Sequence, residues 1–127
     1  MKINVRPRRK NAPRIAEKSA PGFLQWLRGR ECACGGRNPD CGGKMQAAHG
    51  PDKATKGMGT KCRDSCALPL SMNCHALQHR IGWISFGISY LQTRDMTNAG
   101  VLAVCDDYWR AWPGRVAWER KLEEASR

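Results

Sequence analysis

Six of the seven cysteines, Cys32, Cys34, Cys41, Cys62, Cys66 and Cys74, crowd into one window of 43 residues that is rich in glycine and poor in apolar side chains. Such a window buries too little hydrocarbon to hold itself together, so its shape must come from cross-links between sulfurs or from a metal they share. The choice depends on the compartment. The basic start, Met1 to Lys10, runs on into more basic and polar residues, not into the apolar stretch and small-residue cleavage site of a secretory signal. No apolar run approaches the roughly 20 residues of a membrane helix; the longest, around residues 99–105, makes one core stripe. A cytoplasmic protein with no membrane attachment is therefore expected. In that reducing setting, clustered cysteines are metal ligands more often than disulfides. Cys105 stands apart in the apolar stripe and reads as a packed core thiol.

The metal most suited to such a set is zinc, which wants four ligands in a structural site. Cys32-Ala33-Cys34 followed by Cys41-Gly42-Gly43 resembles a zinc knuckle, in which glycines let backbone amides turn towards the sulfurs. The fourth ligand must come from further along. Cys74 is favoured because it lies immediately before His75 at the start of the same helix, with Cys62 and Cys66 as rivals.

With 127 residues, the chain is expected to form one domain over residues 21–127, preceded by an arm over residues 1–20. Its formal net charge is +11, and the excess is uneven: residues 1–30 carry nine basic and one acidic side chain, residues 31–61 five and three, residues 62–127 eight and seven. An arm with Arg8, Arg9 and Lys10 at its centre binds polyanions by releasing their counterions. DNA is the expected partner.

The remaining elements follow from periodicity. Pro21 opens a short helix through Phe23, Leu24 and Leu27, ended by Gly29. Gln46-Ala47-Ala48 suits a strand, and residues 73–81 a helix. Asn98 is placed to cap a helix whose face carries Val101, Cys105, Tyr108 and Trp112. Pro113-Gly114 stops it, and a last helix from Arg115 aligns Trp118, Leu122 and Ala125. Trp83, Phe86, Trp109 and Trp112 are expected to form the core of this helical part.

All three histidines fall between residues 49 and 79. His75 and His79, at i and i+4 on a helix, set two imidazoles about 6 Å apart, close enough to share one divalent cation. His49 ends the short strand before Gly50-Pro51 and is placed to act as a general base. Between them, Lys56-Gly57-Met58-Gly59-Thr60-Lys61, followed by Arg63, offers backbone amides, a hydroxyl and cations to a phosphate. Asp64 follows this loop; it can orient His49, join the histidines on the cation or pair with Arg63.

Taken together, Ala47-Ala48-His49, the Gly57–Lys61 loop, Asp64, and Ala67-Leu68-Pro69-Leu70-Ser71-Met72-Asn73-Cys74-His75 with His79 resemble the HNH (His-Me finger, ββα-metal) nucleases. Within them the likeness is to small prophage-encoded nucleases of the YbcO type and phage recombination-associated relatives. It extends over roughly residues 28–112, including Arg28-Gly29-Arg30-Glu31-Cys32 and Ile81-Gly82-Trp83-Ile84-Ser85-Phe86-Gly87-Ile88. The resemblance implies a general base at His49, cation ligands at His75 and His79, and hydrolysis of DNA phosphodiesters with Mg²⁺, Mn²⁺ or another divalent ion. The chain departs from the pattern in three places. Ser71 stands where many members carry the first cysteine of a Cys-x-x-Cys, Ala48 where some carry a further metal ligand, and Cys66 at the middle Asn.

The expected fold is α+β: a small zinc-stabilised ββα-metal, treble-clef-like core over about residues 28–82, with a helical extension over residues 83–127. The expected function is that of a phage or prophage DNA endonuclease. His49 and Asp64 are its catalytic residues, His75 and His79 hold the catalytic cation, and Cys32, Cys34, Cys41 and Cys74 hold structural zinc. Lys56, Thr60, Lys61, Arg63, Arg8, Arg9 and Lys10 would lie on the DNA. Phage recombination proteins are the expected protein partners. The alternatives are a zinc-containing DNA-binding accessory without turnover, and an adaptor for acidic proteins.

Overall fold

A computed structural model describes residues 19–51, 63–94 and 96–126. The described chain is α+β: helix α1 (Pro21–Arg28), strands β1 (Met45–His49) and β2 (Ala67–Ser71), helices α2 (Met72–Ile81) and α3 (Trp83–Phe86), a π-helical turn (Gly87–Leu91), then α4 (Ala99–Ala111) and α5 (Arg115–Ala125). The strands pair antiparallel, with Met45 opposite Ser71 and His49 opposite Ala67.

Two faces of one hairpin organise the packing. Because successive side chains leave a strand on opposite sides, Ala47 and Ala67 enter one apolar cluster while Ala48, Leu68 and Leu70 enter another. On the first face, α1 brings Phe23 and Leu27, four residues apart and fully buried, against Ala20 and the rings of Trp109, Trp112 and Trp118. Burying a side chain of that size contributes about 1.5–3 kcal/mol. On the second face, Leu68 and Leu70 meet Cys74, Phe86, Leu91, Val101 and Cys105. Every residue of β2 is buried, as a strand covered on both sides must be.

Pro69 sits within β2 although proline cannot donate to a sheet ladder. A two-stranded sheet leaves β2 one unpaired edge, where the Pro69 carbonyl accepts from Ala33 N–H at 2.8 Å. The cysteine-rich loop thus lies along the outer edge of β2.

Two expectations about the helical part are corrected. Asn98 makes no side-chain cap to α4; Thr97 Oγ1 accepts from Ala99 N–H at 3.2 Å instead. The four aromatics expected to share a core belong to different clusters: Trp83 and Phe86 lie with Leu68 and Val101, Trp109 and Trp112 with Phe23. The hairpin between them separates the two groups. Cys105 is fully buried, as a core thiol should be. In α5, among the described residues, none is buried, and Trp118 is its link to the apolar cluster. No helix of the described chain is long and apolar enough to cross a membrane.

Gly50 follows His49 at a point where backbone and core come too close for a side chain. A Cβ there would stand 2.8 Å from Cys105 Sγ and 3.3 Å from the Cys66 carbonyl oxygen. Gly50→Ala should therefore destabilise the fold by about 1–3 kcal/mol, the usual cost of overpacking. In a Cys105→Ala background the same change should cost less, because the atom it strikes has gone. Chemical denaturation of the four proteins checks this; an equal cost in both backgrounds would contradict it.

Candidate metal centre and histidine site

Four thiols converge beside the free edge of β2. The sulfurs of Cys32, Cys34, Cys41 and Cys74 all lie within 4.8 Å of one another, and among the described residues they form the one group of three or more potential ligands gathered this closely. A tetrahedral site with bonds of about 2.3 Å has its sulfurs ~3.8 Å apart, so small side-chain movements close this set on an ion. The chain gets there by a tight turn: Gly35 and Gly36 adopt φ of +60° and +84°, a conformation that L side chains rarely take. Cys74, the ligand most distant in sequence, sits fully buried in the first turn of α2.

Polar groups around the sulfurs fix the arrangement. Ser71 Oγ caps α2 by accepting from Cys74 N–H at 3.2 Å, and it also accepts from Gly42 N–H and Cys41 Sγ–H. Ser71 N–H in turn donates to Cys32 Sγ at 3.3 Å. Ser71 is thus built into the surroundings of the cluster. Asn38 Nδ2–H donates to Cys74 Sγ at 3.2 Å while its Oδ1 accepts from Asp40 N–H, so one buried amide serves both the turn and a sulfur.

The thiols differ in acidity. Burial pushes Cys34 up, but the backbone amides of Asn38 and Gly36 and the neighbouring thiols outweigh it and bring it down to about 7. Burial pushes Cys32 up to about 12 and also raises Cys74. At neutral pH Cys34 is then closer to its thiolate form than Cys32 or Cys74, which give up their protons when a cation replaces them. Cys66 and Cys105, both buried, lie outside the quartet. Burial, then the charge of Cys66, raises the Cys105 thiol. Cys62, the other rival, is outside the described residues.

The histidines gather at the other strand. His49 Nε2 lies 2.8 Å from Asp64 Oδ1. A carboxylate only accepts, so this bond places the ring proton on Nε2 and leaves Nδ1 as the basic atom. Asp64 Oδ2 accepts from Ala20 N–H at 2.8 Å. Of the three places open to Asp64, orienting His49 is the one these bonds describe, and both its oxygens are engaged. The His75 and His79 rings stand 4.8 Å apart between centroids, as the i, i+4 spacing requires. His75 Nδ1 lies 2.6 Å from Gln46 Oε1. Its pKa is lowered from the usual 6.5, first by burial, then by the charges of His79 and His49. The three imidazoles are therefore electrostatic neighbours.

Three contributors escape a reading of the sequence. Gln46 is a polar residue in a strand with no motif around it. Ala20 acts through its backbone. Trp118, 99 residues away, donates its indole N–H to the Ser19 carbonyl at 3.0 Å and so holds the chain beside Asp64. Asn38 had a signal, since Asn38-Pro39-Asp40 is turn chemistry. Of the residues expected on DNA, Lys56, Thr60, Lys61, Arg8, Arg9 and Lys10 lie outside the described residues; Arg63 adjoins Asp64 on the loop before β2. Comparison with protein-family models, with curated proteins and with solved structures finds no match.

If the quartet binds a metal, Cys34→Ser and Cys74→Ser should each abolish stoichiometric binding and unfold the region around α2. A strong chelator should do the same to the wild type, since such sites contribute on the order of 10 kcal/mol in small modules. Cys66→Ser and Cys105→Ser should keep the metal. Metal content and thermal melts of the four variants decide it; retention by Cys34→Ser or loss by Cys66→Ser would contradict the assignment.

Proposed function

We propose that the chain is a metal-dependent DNA endonuclease of the HNH (ββα-metal) kind, with structural zinc at Cys32, Cys34, Cys41 and Cys74. The observation that carries this reading is the pairing of His49 with Asp64 at the end of β1, next to a helix that bears His75 and His79. The strand–strand–helix order of β1, β2 and α2 supports it, and the all-sulfur donor set suits zinc.

The chemistry follows from the residues. Asp64 holds Nε2–H of His49, so Nδ1 takes the proton of a water molecule as it attacks a phosphodiester. The negative charge of Asp64 stabilises the imidazolium that results. His75 and His79 are the residues that would hold the catalytic cation, Mg²⁺, Mn²⁺ or another divalent ion. When bound, it would supply charge for the phosphorane and the leaving oxygen. The basic arm, with Arg8, Arg9 and Lys10, and the loop with Lys56, Thr60, Lys61 and Arg63 would grip the DNA backbone.

A second reading has its own observation. Among the described residues only the thiols form a compact group of three or more metal ligands, and Asp64 is occupied by His49 and Ala20. A zinc-containing DNA-binding module without turnover fits that geometry, acting as an accessory to phage recombination or replication.

Plasmid nicking separates the two. Under single-turnover conditions with Mg²⁺, Mn²⁺ or Ni²⁺, His49→Ala should keep DNA binding and lose about 10²–10⁴-fold in rate. Asp64→Asn should fall in the same direction. Equal rates for wild type and His49→Ala would remove His49 as the base. A wild type inert with every cation that still binds DNA would install the binding module.

The arm gives an independent test. Removing residues 1–18 deletes seven basic side chains and one acidic one but spares Ser19 and Ala20, which serve Trp118 and Asp64. DNA affinity should drop and its salt dependence flatten, since fewer counterions are released, while the rate at saturating DNA persists. An unchanged salt slope would leave the arm out of the interface.

A further inference from the structure

Gln46 occupies a position that a polar residue does not ordinarily take. It stands opposite Leu70, on the same side of β1 as Ala48, which packs with Leu68, Leu70 and Cys74. A half-buried amide on such a face needs a partner, and its oxygen lies 2.6 Å from His75 Nδ1. That distance is short for a neutral pair. An amide oxygen has no proton to give, so the bond requires the imidazole proton to be on Nδ1. A neutral imidazole carries one ring proton, and Nε2 is then left with its lone pair, on a half-buried ring 4.8 Å from that of His79.

We infer that Gln46 is a positioning residue: its side-chain oxygen locks His75 in the Nδ1–H tautomer and makes Nε2 the atom His75 offers to a divalent cation. This rests on the reading of His75 and His79 as cation ligands. Ligating histidines are usually held this way through the nitrogen that does not meet the metal. Because β1 also carries His49, three residues on, the strand that presents the base also orients the ligand.

The tautomer can be read without any catalysis. In the full-length zinc-loaded protein at pH 8, with no other divalent ion added, long-range ¹H–¹⁵N correlation spectra should show His75 protonated at Nδ1 and bare at Nε2. Gln46→Ala should release the ring to the other tautomer, and Gln46→Glu, whose carboxylate also only accepts, should retain Nδ1–H. Calorimetric titration with Mn²⁺ should show Gln46→Ala weakened by about 10–100-fold and Gln46→Glu not weakened. An Nε2–H tautomer in the wild type, no Mn²⁺ binding that His75→Ala abolishes, or equal Mn²⁺ affinity in Gln46→Ala would overturn the inference. Should plasmid remain uncut while the tautomer and the Mn²⁺ result hold, nuclease function fails and the role of Gln46 stands.

Discussion

The gathering of four thiols beside β2 is the constraint on which the rest of the molecule depends. The loop that carries Cys32, Cys34 and Cys41 has few apolar side chains, and it meets β2 and the start of α2 through hydrogen bonds: Ala33 N–H to the Pro69 carbonyl, Ser71 N–H to Cys32 Sγ, Gly42 N–H to Ser71 Oγ, and Met72 and Asn73 N–H to the Lys44 and Gly42 carbonyls. Those bonds contribute about 1 kcal/mol each, too little to order a loop of that length against its chain entropy. Cys74 joins the loop to the first turn of α2, and His75 is the next residue. Whatever closes the quartet therefore also fixes where α2 begins and the direction in which its two histidines face. Cys34 and Cys74 are buried within the same cluster as Leu68, Leu70 and Phe86, so the sulfur site grows out of the apolar core.

The hairpin is the second organiser. With both faces covered, it lets one strand serve two environments: Ala47 and His49 leave β1 towards α1 and the tryptophan cluster, Gln46 and Ala48 towards α2. The candidate site forms at the strand itself, where residues from both faces come within electrostatic reach. The N-terminal segment enters the same place. Trp118 holds Ser19 and Ala20 holds Asp64, so the basic residues before position 19 are attached to the chain next to His49. Charge and candidate chemistry are thereby joined through the backbone.

Much of this was legible where chemistry fixes spacing. The i, i+4 pair His75 and His79, the strand ending at His49, and the quartet with Cys74 as its distant member follow from helix geometry, a Gly-Pro turn and the needs of a four-ligand metal. The structure places those residues as expected, and it brings Asp64 within hydrogen-bond distance of His49. What was not legible depends on tertiary context. Asn98 carries a capping residue's signature, yet its backbone already has helical φ and ψ, and Thr97 Oγ1 is the side-chain oxygen that meets Ala99 N–H. The aromatics were assigned one core because sequence cannot see that a hairpin passes between them. The π-helical turn after α3 and the bond from Gln46 to His75 leave no periodic trace. Ala20 and Ser19 act through backbone atoms, which any residue would supply.

Zinc K-edge X-ray absorption on the protein purified without added metal is the most direct measurement of the account. It should show one zinc per chain surrounded by four sulfurs at about 2.3 Å, with no light-atom ligand in the first shell. A chain that is folded and contains no zinc, or one whose zinc has nitrogen or oxygen in place of one or more of those sulfurs, would contradict the assignment of Cys32, Cys34, Cys41 and Cys74 as the anchor of the fold.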